Sequence, residues 1–292
     1  MRKAFRTFVI LIWLTGVSGA AFGQRNASHT GATMSPEARA LLEEAIAVVC
    51  TQAKLDPKSS VAIDEMQARP SLPVAHPEAV AGAQRAQRLL PVAKELVVAS
   101  LRQLIVDYQL QKSARFQRRV QQAIARVNAV RRVKPDMESR DNASVYLSRP
   151  QVITFGTIFL AGLRSDEGMI SVLSHELMHI ADGENDSLRM LVAAVGKRAS
   201  ELTGLDVGGQ RGEEITCDLV GAMSVRAYVA SSPGYESIAR RLARSVQHNC
   251  VDIDEGDEDH LSPRNTIRAL FSLHPVMVRE LINDREERAQ PR

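Results

Sequence analysis

The chain has 292 residues, of which 24% are charged and 45% are apolar, and its formal net charge at neutral pH is +3. This balance is typical of a globular protein with one sizeable hydrophobic core. So small a net charge, with only 4% aromatic residues, argues against a nucleic-acid-binding protein, and we expect no nucleic-acid partner.

The N-terminus has the pattern of a secretory signal peptide. A basic leader precedes an apolar run over residues 8–21, and Ala21-Phe22-Gly23 fits a small-x-small cleavage site. The run is shorter than the ~20 residues that span a bilayer, and a retained anchor is the alternative. We expect residues 1–23 to be removed, residues 24–34 to be disordered, and the mature chain to be periplasmic or secreted.

A helical N-terminal region is predicted for residues 35–135. Ser35-Pro36 is typical of a helix start, and this helix should continue past Cys50. Residues 55–77 contain four prolines and few regular signals, which predicts a long loop that either covers a cleft or only connects two helices. The helical stretch that follows is expected to break or kink at Pro91.

The second half of this helical stretch is strongly basic. Its basic residues include Arg115, Arg118, Arg119, Arg126, Arg131, Arg132 and Lys134. Two interpretations are open: a solvated face opposite an apolar stripe, which is the commoner case, or a surface that contacts a membrane or another anionic partner. Lys134-Pro135-Asp136 is expected to end the helix.

Two strands and a helix are predicted next. Residues 139–147 and 151–159 carry the β-branched and aromatic residues that are typical of strands. Ser165 is suited to be the N-cap of the following helix, and Gly183 is suited to be its C-terminal cap. The expected fold class is therefore α+β and mostly helical.

The helix after Ser165 contains His175-Glu176-Leu177-Met178-His179, an H-E-x-x-H motif. Positions i and i+4 lie on one helical face, so both imidazoles can reach one Zn²⁺ ion, with Glu176 beside it as a general base. A helix that carries these residues only for packing is the alternative, but such polar side chains need partners once they are buried. We predict one zinc ion per chain, with His175 and His179 as ligands.

Glu214 and Asp218 supply two further functions that a catalytic zinc site requires. They are four residues apart at the start of an apolar-periodic helix, so they share a face. We expect Glu214 to be the third ligand and Asp218 to accept the free ring N–H of a ligating histidine. Glu213 is explained by the preference of acidic residues for the first turn of a helix.

Several blocks, in the same order, resemble the zinc metallopeptidase family that includes the CAAX prenyl proteases, HtpX and the periplasmic BepA-type proteases. They are Asn142-Ala143, the strand end Thr154-Phe155-Gly156, the H-E-x-x-H motif, Glu214-Ile215-Thr216-Cys217-Asp218 and Ser272-Leu273-His274-Pro275. Cys217 stands where the family usually has Ala. No tetratricopeptide array of the BepA type is found in the sequence.

The resemblance implies a zincin-like metallopeptidase with a small antiparallel sheet beside the H-E-x-x-H helix. It implies a catalytic core over residues 136–285, followed by a tail at 286–292. An edge strand at 142–147 would hold an extended substrate by main-chain hydrogen bonds. The resemblance also places His274 near the zinc, where it could donate to a developing oxyanion.

The expected function is that of a gluzincin-type zinc metalloendopeptidase that cleaves envelope or secreted proteins, with a possible role in protein quality control. The alternative is a non-catalytic, zinc-folded periplasmic chaperone or binding module. Glu176 favours the enzyme, because a structural zinc site does not need a general base. A protein or peptide substrate is the expected partner, while peripheral membrane contact and oligomeric state stay open.

The C-terminal part of the chain is predicted to be helical over residues 186–203, 214–246 and 263–284, with an interruption before Pro275. The acidic loop at 252–259 lacks the ligand order of an EF-hand, so a calcium site is the less favoured interpretation of it.

Three cysteines are an odd number for an oxidising compartment. Cys217 is expected to pack as a small apolar residue. Pairing of Cys50 with Cys250 would tie the first helix to the C-terminal region, and the sequence leaves it open.

Overall fold

The structure is a computed structural model that describes residues 34–56, 58, 70–183, 187–232, 234, 236–251 and 255–289. The expected signal peptide, the polar segment after it and most of the proline-rich loop lie outside the described residues.

The described chain is mostly helical, with one small sheet, and this confirms the α+β class. The helices are α1 (Pro36–Leu55), α2 (Pro77–Asp107), α3 (Ala114–Ala129), α4 (Thr157–Gly162), α5 (Asp166–Asp182), α6 (Arg189–Thr203), α7 (Gly209–Ser231), α8 (Ile238–Val246), α9 (Pro263–Leu273) and α10 (Pro275–Ala289). Short 3-10 turns lie at Leu110–Lys112 and Gln247–Asn249. The strands are β1 (Arg132–Asp136), β2 (Ala143–Val145) and β3 (Val152–Gly156).

The sheet is mixed and not antiparallel as expected. Its order is β1-β3-β2, with β1 parallel and β2 antiparallel to β3. The sequence patterns missed β1 because Pro135 was taken only as a helix breaker. A proline is tolerated on an edge strand, where its missing N–H removes no ladder bond. Helix α2 contacts the edge of β1 that does not pair with β3: the Val133 N–H donates to Gln87 Oε1 at 3.0 Å.

The expected break at Pro91 does not occur, because α2 continues through this residue to Asp107. Pro91 lies on the exposed side of α2, while the opposite side is buried along almost its whole length. That burial stabilises the helix against the loss of one backbone hydrogen bond. The chain leaves the helix later, where Gln109 has a left-handed backbone with a φ of 55°. In contrast, the single helix expected over 214–246 is divided into two helices, α7 and α8.

Helix α5 lies at the centre of the molecule. It packs against α2, α3, α7 and α8, and strand β2 also contacts it. Its apolar side chains, including Met169, Ile170, Leu173 and Leu177, are fully buried. Helix α7 makes the most extensive of these contacts, so residues on the facing sides of α5 and α7 are held in register.

A disulfide and a buried ionic cluster fix α8 between α1 and α5. Cys50 pairs with Cys250, which settles the pairing that the sequence left open. Arg244 of α8 donates to Asp56 at 2.7 Å, and Arg241 donates to Glu167 at 2.7 Å. Buried pairs of this kind leave a costly unpaired charge if one partner is removed.

The described residues belong to one compact unit, and strand β1 crosses the expected boundary between an N-terminal region and a core beginning at residue 136. Across the described part of the chain, every helix is too short or too polar to cross a bilayer.

Candidate metal centre

The H-E-x-x-H helix is fixed at both of its ends. At its start, the Ser165 hydroxyl accepts from the Gly168 N–H at 3.0 Å, as the sequence predicted. At its end, Gly183 has a positive φ of 67°. The guanidinium of Arg126, on α3, donates to the carbonyls of Ile180 and Ala181 and so satisfies groups that have no partner within the helix. These contacts set the position of the two histidines that lie between the caps.

Three side chains from α5 and α7 converge on one point. The Nε2 atoms of His175 and His179 are 3.2 Å apart. Glu214 places Oε2 at 3.3 Å from His175 Nε2 and Oε1 at 3.5 Å from His179 Nε2. The structure therefore brings together the three ligands that the sequence predicted.

The spacing of these donor atoms fits a small tetrahedral metal ion. Nitrogen and oxygen ligands at 2.0–2.2 Å from a tetrahedral zinc are separated from one another by about 3.3–3.6 Å. The three observed separations, from 3.2 to 3.5 Å, agree with that value. Two imidazoles and one carboxylate are also a ligand set that zinc accepts.

Cys217 provides a further donor atom in the same region. One ligand atom each from His175, His179 and Cys217 lie within 4.8 Å of one another, and this group could hold a metal ion. The thiol is buried, and its Sγ lies 3.6 Å from His179 Nδ1. The thiol therefore contacts the Nδ1 side of the ring.

Two further carboxylates hold the outer nitrogens of the imidazoles. His175 Nδ1 lies 2.8 Å from Asp218 Oδ1, and His179 Nδ1 lies 3.0 Å from Glu213 Oε1. Carboxylates only accept, so each Nδ1 carries a proton, and when a ring is neutral its Nε2 has the lone pair that a metal requires. The contact of Asp218 with a histidine is the one predicted for it. Glu213 was assigned only to the helix dipole, and its role was missed.

The charges around the imidazoles are strongly coupled. Burial alone would lower the pKa of His175, but Asp218 and Glu214 outweigh it and raise this pKa well above its ordinary value. The pKa of His179 is also raised against burial, by Cys217 and the neighbouring carboxylates. Burial would raise the pKa of Glu214, and the two imidazoles lower it instead. The negative charge of the carboxylates favours protonated imidazoles in the absence of a metal. The same charge would favour a metal cation, which takes the place of the Nε2 protons.

Glu176 lies beside this cluster and is almost completely buried. Burial raises the pKa of its carboxyl group, and the nearby His175 and His179 act in the opposite direction. A carboxylate with a raised pKa is better suited to take up a proton near neutral pH than a solvated one.

Among the described contacts none joins His274 to the cluster, so the place near the metal that the resemblance implies stays a prediction. Burial lowers the pKa of His274, and the next contribution comes from Arg226. Arg226 lies twelve residues after Glu214 on α7, a separation of about 18 Å along a helix. Its guanidinium makes a bidentate contact with Glu280, at 2.6–3.0 Å. His274 therefore belongs to the junction of α9 and α10, at the other end of α7.

Two histidines near the cluster were missed by the sequence patterns. The Nε2 of His260 lies 3.7 Å from Glu214 Oε2, and its Nδ1 lies 3.0 Å from Asp257 Oδ1. Arg211 donates to the Asp257 carbonyl at 2.6 Å and so ties this acidic loop to α7. Burial lowers the pKa of His248, which also responds to Asp218 and His175. Neither histidine belongs to a motif, because each reaches the site through the tertiary fold.

The sheet presents a free edge next to the site. Among the described residues, strand β2 pairs only with β3, and it contacts helix α5. Tyr146 and Leu147, which follow β2, are 58% and 37% exposed. A free edge offers unpaired backbone groups to which an extended peptide can bind.

Comparisons with protein-family models, with curated proteins and with solved structures find no match to this chain.

Proposed function

We propose that this protein is a zinc-dependent metalloendopeptidase with a zincin-like core, related to the family whose motifs its sequence resembles. The observation that carries the proposal is the convergence of two imidazole Nε2 atoms and the Glu214 carboxylate at 3.2–3.5 Å, beside the buried Glu176. A protein that used these residues only for packing would not need their donor atoms to point at one another.

His175, His179 and Glu214 would hold the zinc, with Asp218 and Glu213 fixing the two rings from outside. Glu214 is a better third ligand than Cys217, because it faces both Nε2 atoms while the thiol lies on the Nδ1 side of His179. A bound zinc ion polarises a peptide carbonyl and lowers the pKa of water to near neutrality.

Glu176 would act as the general base. Its buried carboxylate accepts a proton from the water that attacks the peptide carbonyl. The same group then returns the proton to the leaving amine. Burial raises the pKa of Glu176, and a carboxylate shifted in this direction takes up a proton more readily than a solvated one.

His260 would take the role that the resemblance gave to His274. Its ring lies beside Glu214, with its Nδ1 held by Asp257. Because its Nδ1–H is donated to the Asp257 carboxylate, Nε2 carries a proton only in the imidazolium form, and in that form it could donate to the oxygen of a carbonyl that becomes negatively charged. Its 58% side-chain exposure leaves room for a substrate beside it.

The substrate would be a peptide segment in an extended conformation, bound along the free edge of β2. Main-chain hydrogen bonds to an edge strand do not depend on side chains, so they suit a broad range of protein substrates. The exposed Tyr146 and Leu147 would add apolar contacts next to the bound segment. A periplasmic or secreted location, with substrates among envelope or secreted proteins, belongs to the same proposal.

The test is zinc content and casein hydrolysis of the wild-type chain beside Glu176→Gln. This substitution keeps the shape of the side chain and removes only its ability to take a proton. We expect about one zinc per chain in both, with hydrolysis reduced by about 10²–10⁴-fold in the variant. Normal turnover by Glu176→Gln would refute the assigned base. Zinc in both proteins without cleavage in either would instead favour a zinc-folded binding module.

A further inference from the structure

The segment around helix α3 carries a large local excess of positive charge. Between Asp107 and Asp136 the chain has no acidic residue. It has eight basic residues there, namely Lys112, Arg115, Arg118, Arg119, Arg126, Arg131, Arg132 and Lys134. The whole chain has a formal net charge of only +3, so this charge is concentrated in one region.

The first four of these residues form what we call the basic face of α3: Lys112, Arg115, Arg118 and Arg119. Arg119 is half-buried and the other three are exposed. Throughout the described residues, no acidic group forms an ion pair or a hydrogen bond with any of the four side chains. The opposite side of α3 carries Phe116, Val120 and Ile124 into the core. The helix therefore has one side used by the fold and one cationic side open to solvent.

The basic residues lie at and near the start of α3, where positive charge destabilises a helix. Helix α3 begins at Ala114, has no acidic residue in its first turn and is preceded directly by Lys112 and Ser113. The start of a helix carries a partial positive charge, so cations there are unfavourable and acidic residues are the stabilising choice. Residues that weaken a helix without a gain in packing indicate a role outside the fold.

We propose that the basic face of α3 binds the surface of an anionic lipid bilayer. Each lysine or arginine close to such a surface strengthens binding by about fivefold. No large apolar or aromatic side chain is exposed between Asp107 and Asp136, so nothing on this segment can insert between lipids or stack on bases. The contact is therefore electrostatic and peripheral, and a single-stranded nucleic acid, which is bound through stacking, fits the face less well.

The same helix is attached directly to the candidate metal centre. Arg126 of α3 donates to the carbonyls of Ile180 and Ala181 in α5, one and two residues after His179. Arg118 and Arg126 are eight residues apart, or about 12 Å along the helix. A bilayer bound at the basic face would thus hold the metal centre at a fixed, short distance from the lipid surface. The proposal goes beyond the proposed hydrolysis and does not depend on it.

The experiment measures binding of the full chain to vesicles of phosphatidylcholine alone or with phosphatidylglycerol. Co-sedimentation is followed for wild type, for Arg115→Gln/Arg118→Gln and for the matched control Arg39→Gln/Lys54→Gln. Both pairs are exposed on helices and remove two positive charges. The neutral vesicles report any contribution from the apolar N-terminal segment. We expect binding that requires phosphatidylglycerol, weakens with salt and is about 30-fold weaker in the α3 variant only.

Three outcomes would overturn the proposal. One is equal binding of the wild type to neutral and anionic vesicles. Another is an equal loss in both variants, which would show that only net charge matters. The third is tight binding to a DNA oligonucleotide that Arg115→Gln/Arg118→Gln abolishes while vesicle binding is unchanged, which would assign the face to nucleic acid. Thermal unfolding tests whether the basic face has a structural role instead. The α3 variant should be at least as stable as wild type, because it removes positive charge near the start of a helix.

Discussion

The two ends of helix α7 carry the same residue types in opposite electrostatic environments. At its first end, Glu213, Glu214 and Asp218 meet the imidazoles of His175 and His179, whose pKa values are raised.

At the other end, Arg226 already pairs with Glu280, and burial lowers the pKa of His274 beside them. The first end has an excess of negative charge that a metal cation can neutralise, whereas the second is balanced within itself. Histidine and glutamate alone therefore do not identify a site; the sign of the charge around the imidazole does.

The largest expected difference between the two ends is in metal binding. Glu214→Ala removes a donor that lies 3.3 and 3.5 Å from the two Nε2 atoms, so zinc affinity should fall by more than about 100-fold. Glu280→Ala removes a carboxylate from the other end of α7 and should leave zinc affinity within about twofold. Its ion pair is partly exposed, so its loss should cost less than about 1 kcal/mol of stability. Zinc titration against a competing chelator measures both affinities, and equal losses would remove the distinction.

A smaller effect is expected from the outer carboxylates. Asp218→Asn and Glu213→Gln keep the shape of each side chain but weaken its hold on one imidazole. Each should reduce zinc affinity by about 10–100-fold, with the ligands themselves intact. The same titration checks this. An unchanged affinity in Glu213→Gln would return this residue to the minor helix-dipole role that the sequence suggested.

The smallest expected effect is a change of folding stability with pH, which arises from His274 near the Arg226 end of α7. Because the pKa of His274 in the folded protein is below its ordinary value of 6.5, the unfolded chain takes up this proton more readily. Its contribution to stability is therefore complete above pH 6.5 and is lost as the pH falls from there towards the folded-state pKa. The slope is at most about 1.4 kcal/mol per pH unit.

Urea unfolding of wild type and His274→Gln between pH 7 and pH 5 measures this contribution. The variant should show a shallower decline of stability as the pH falls. It should also keep its zinc affinity, because none of the described contacts joins His274 to the metal cluster. A loss of zinc in His274→Gln would place this residue back at the site.

Short-range patterns predicted the elements that depend on neighbouring residues. Ser165 caps α5 and Gly183 ends it with a positive φ, as their residue types suggested. The four-residue spacings in α5 and α7 predicted which side chains share a face, and the fold brings those faces together.

The features that the sequence did not reveal depend on tertiary contacts. Pro135 lies in an edge strand because β1 finds a parallel partner in β3, which residues 132–136 do not encode by themselves. His260 reaches Glu214 through a loop, and Glu213 lies one residue away from the ligand that the motif marks. The charged groups that affect the pKa of His274 are Arg226, Glu280 and Asp107 and not the metal cluster, although its motif resembles one that lies near a metal.

The most direct test of the central claim is zinc K-edge X-ray absorption on the zinc-loaded full chain. The proposed centre holds the metal through the Nε2 atoms of His175 and His179 and the carboxylate of Glu214. We expect the nearest donors to be nitrogen and oxygen at about 2.0–2.2 Å, with histidine multiple scattering and without sulfur. A sulfur donor at about 2.3 Å would contradict it, because it would show that Cys217 holds the metal in place of Glu214.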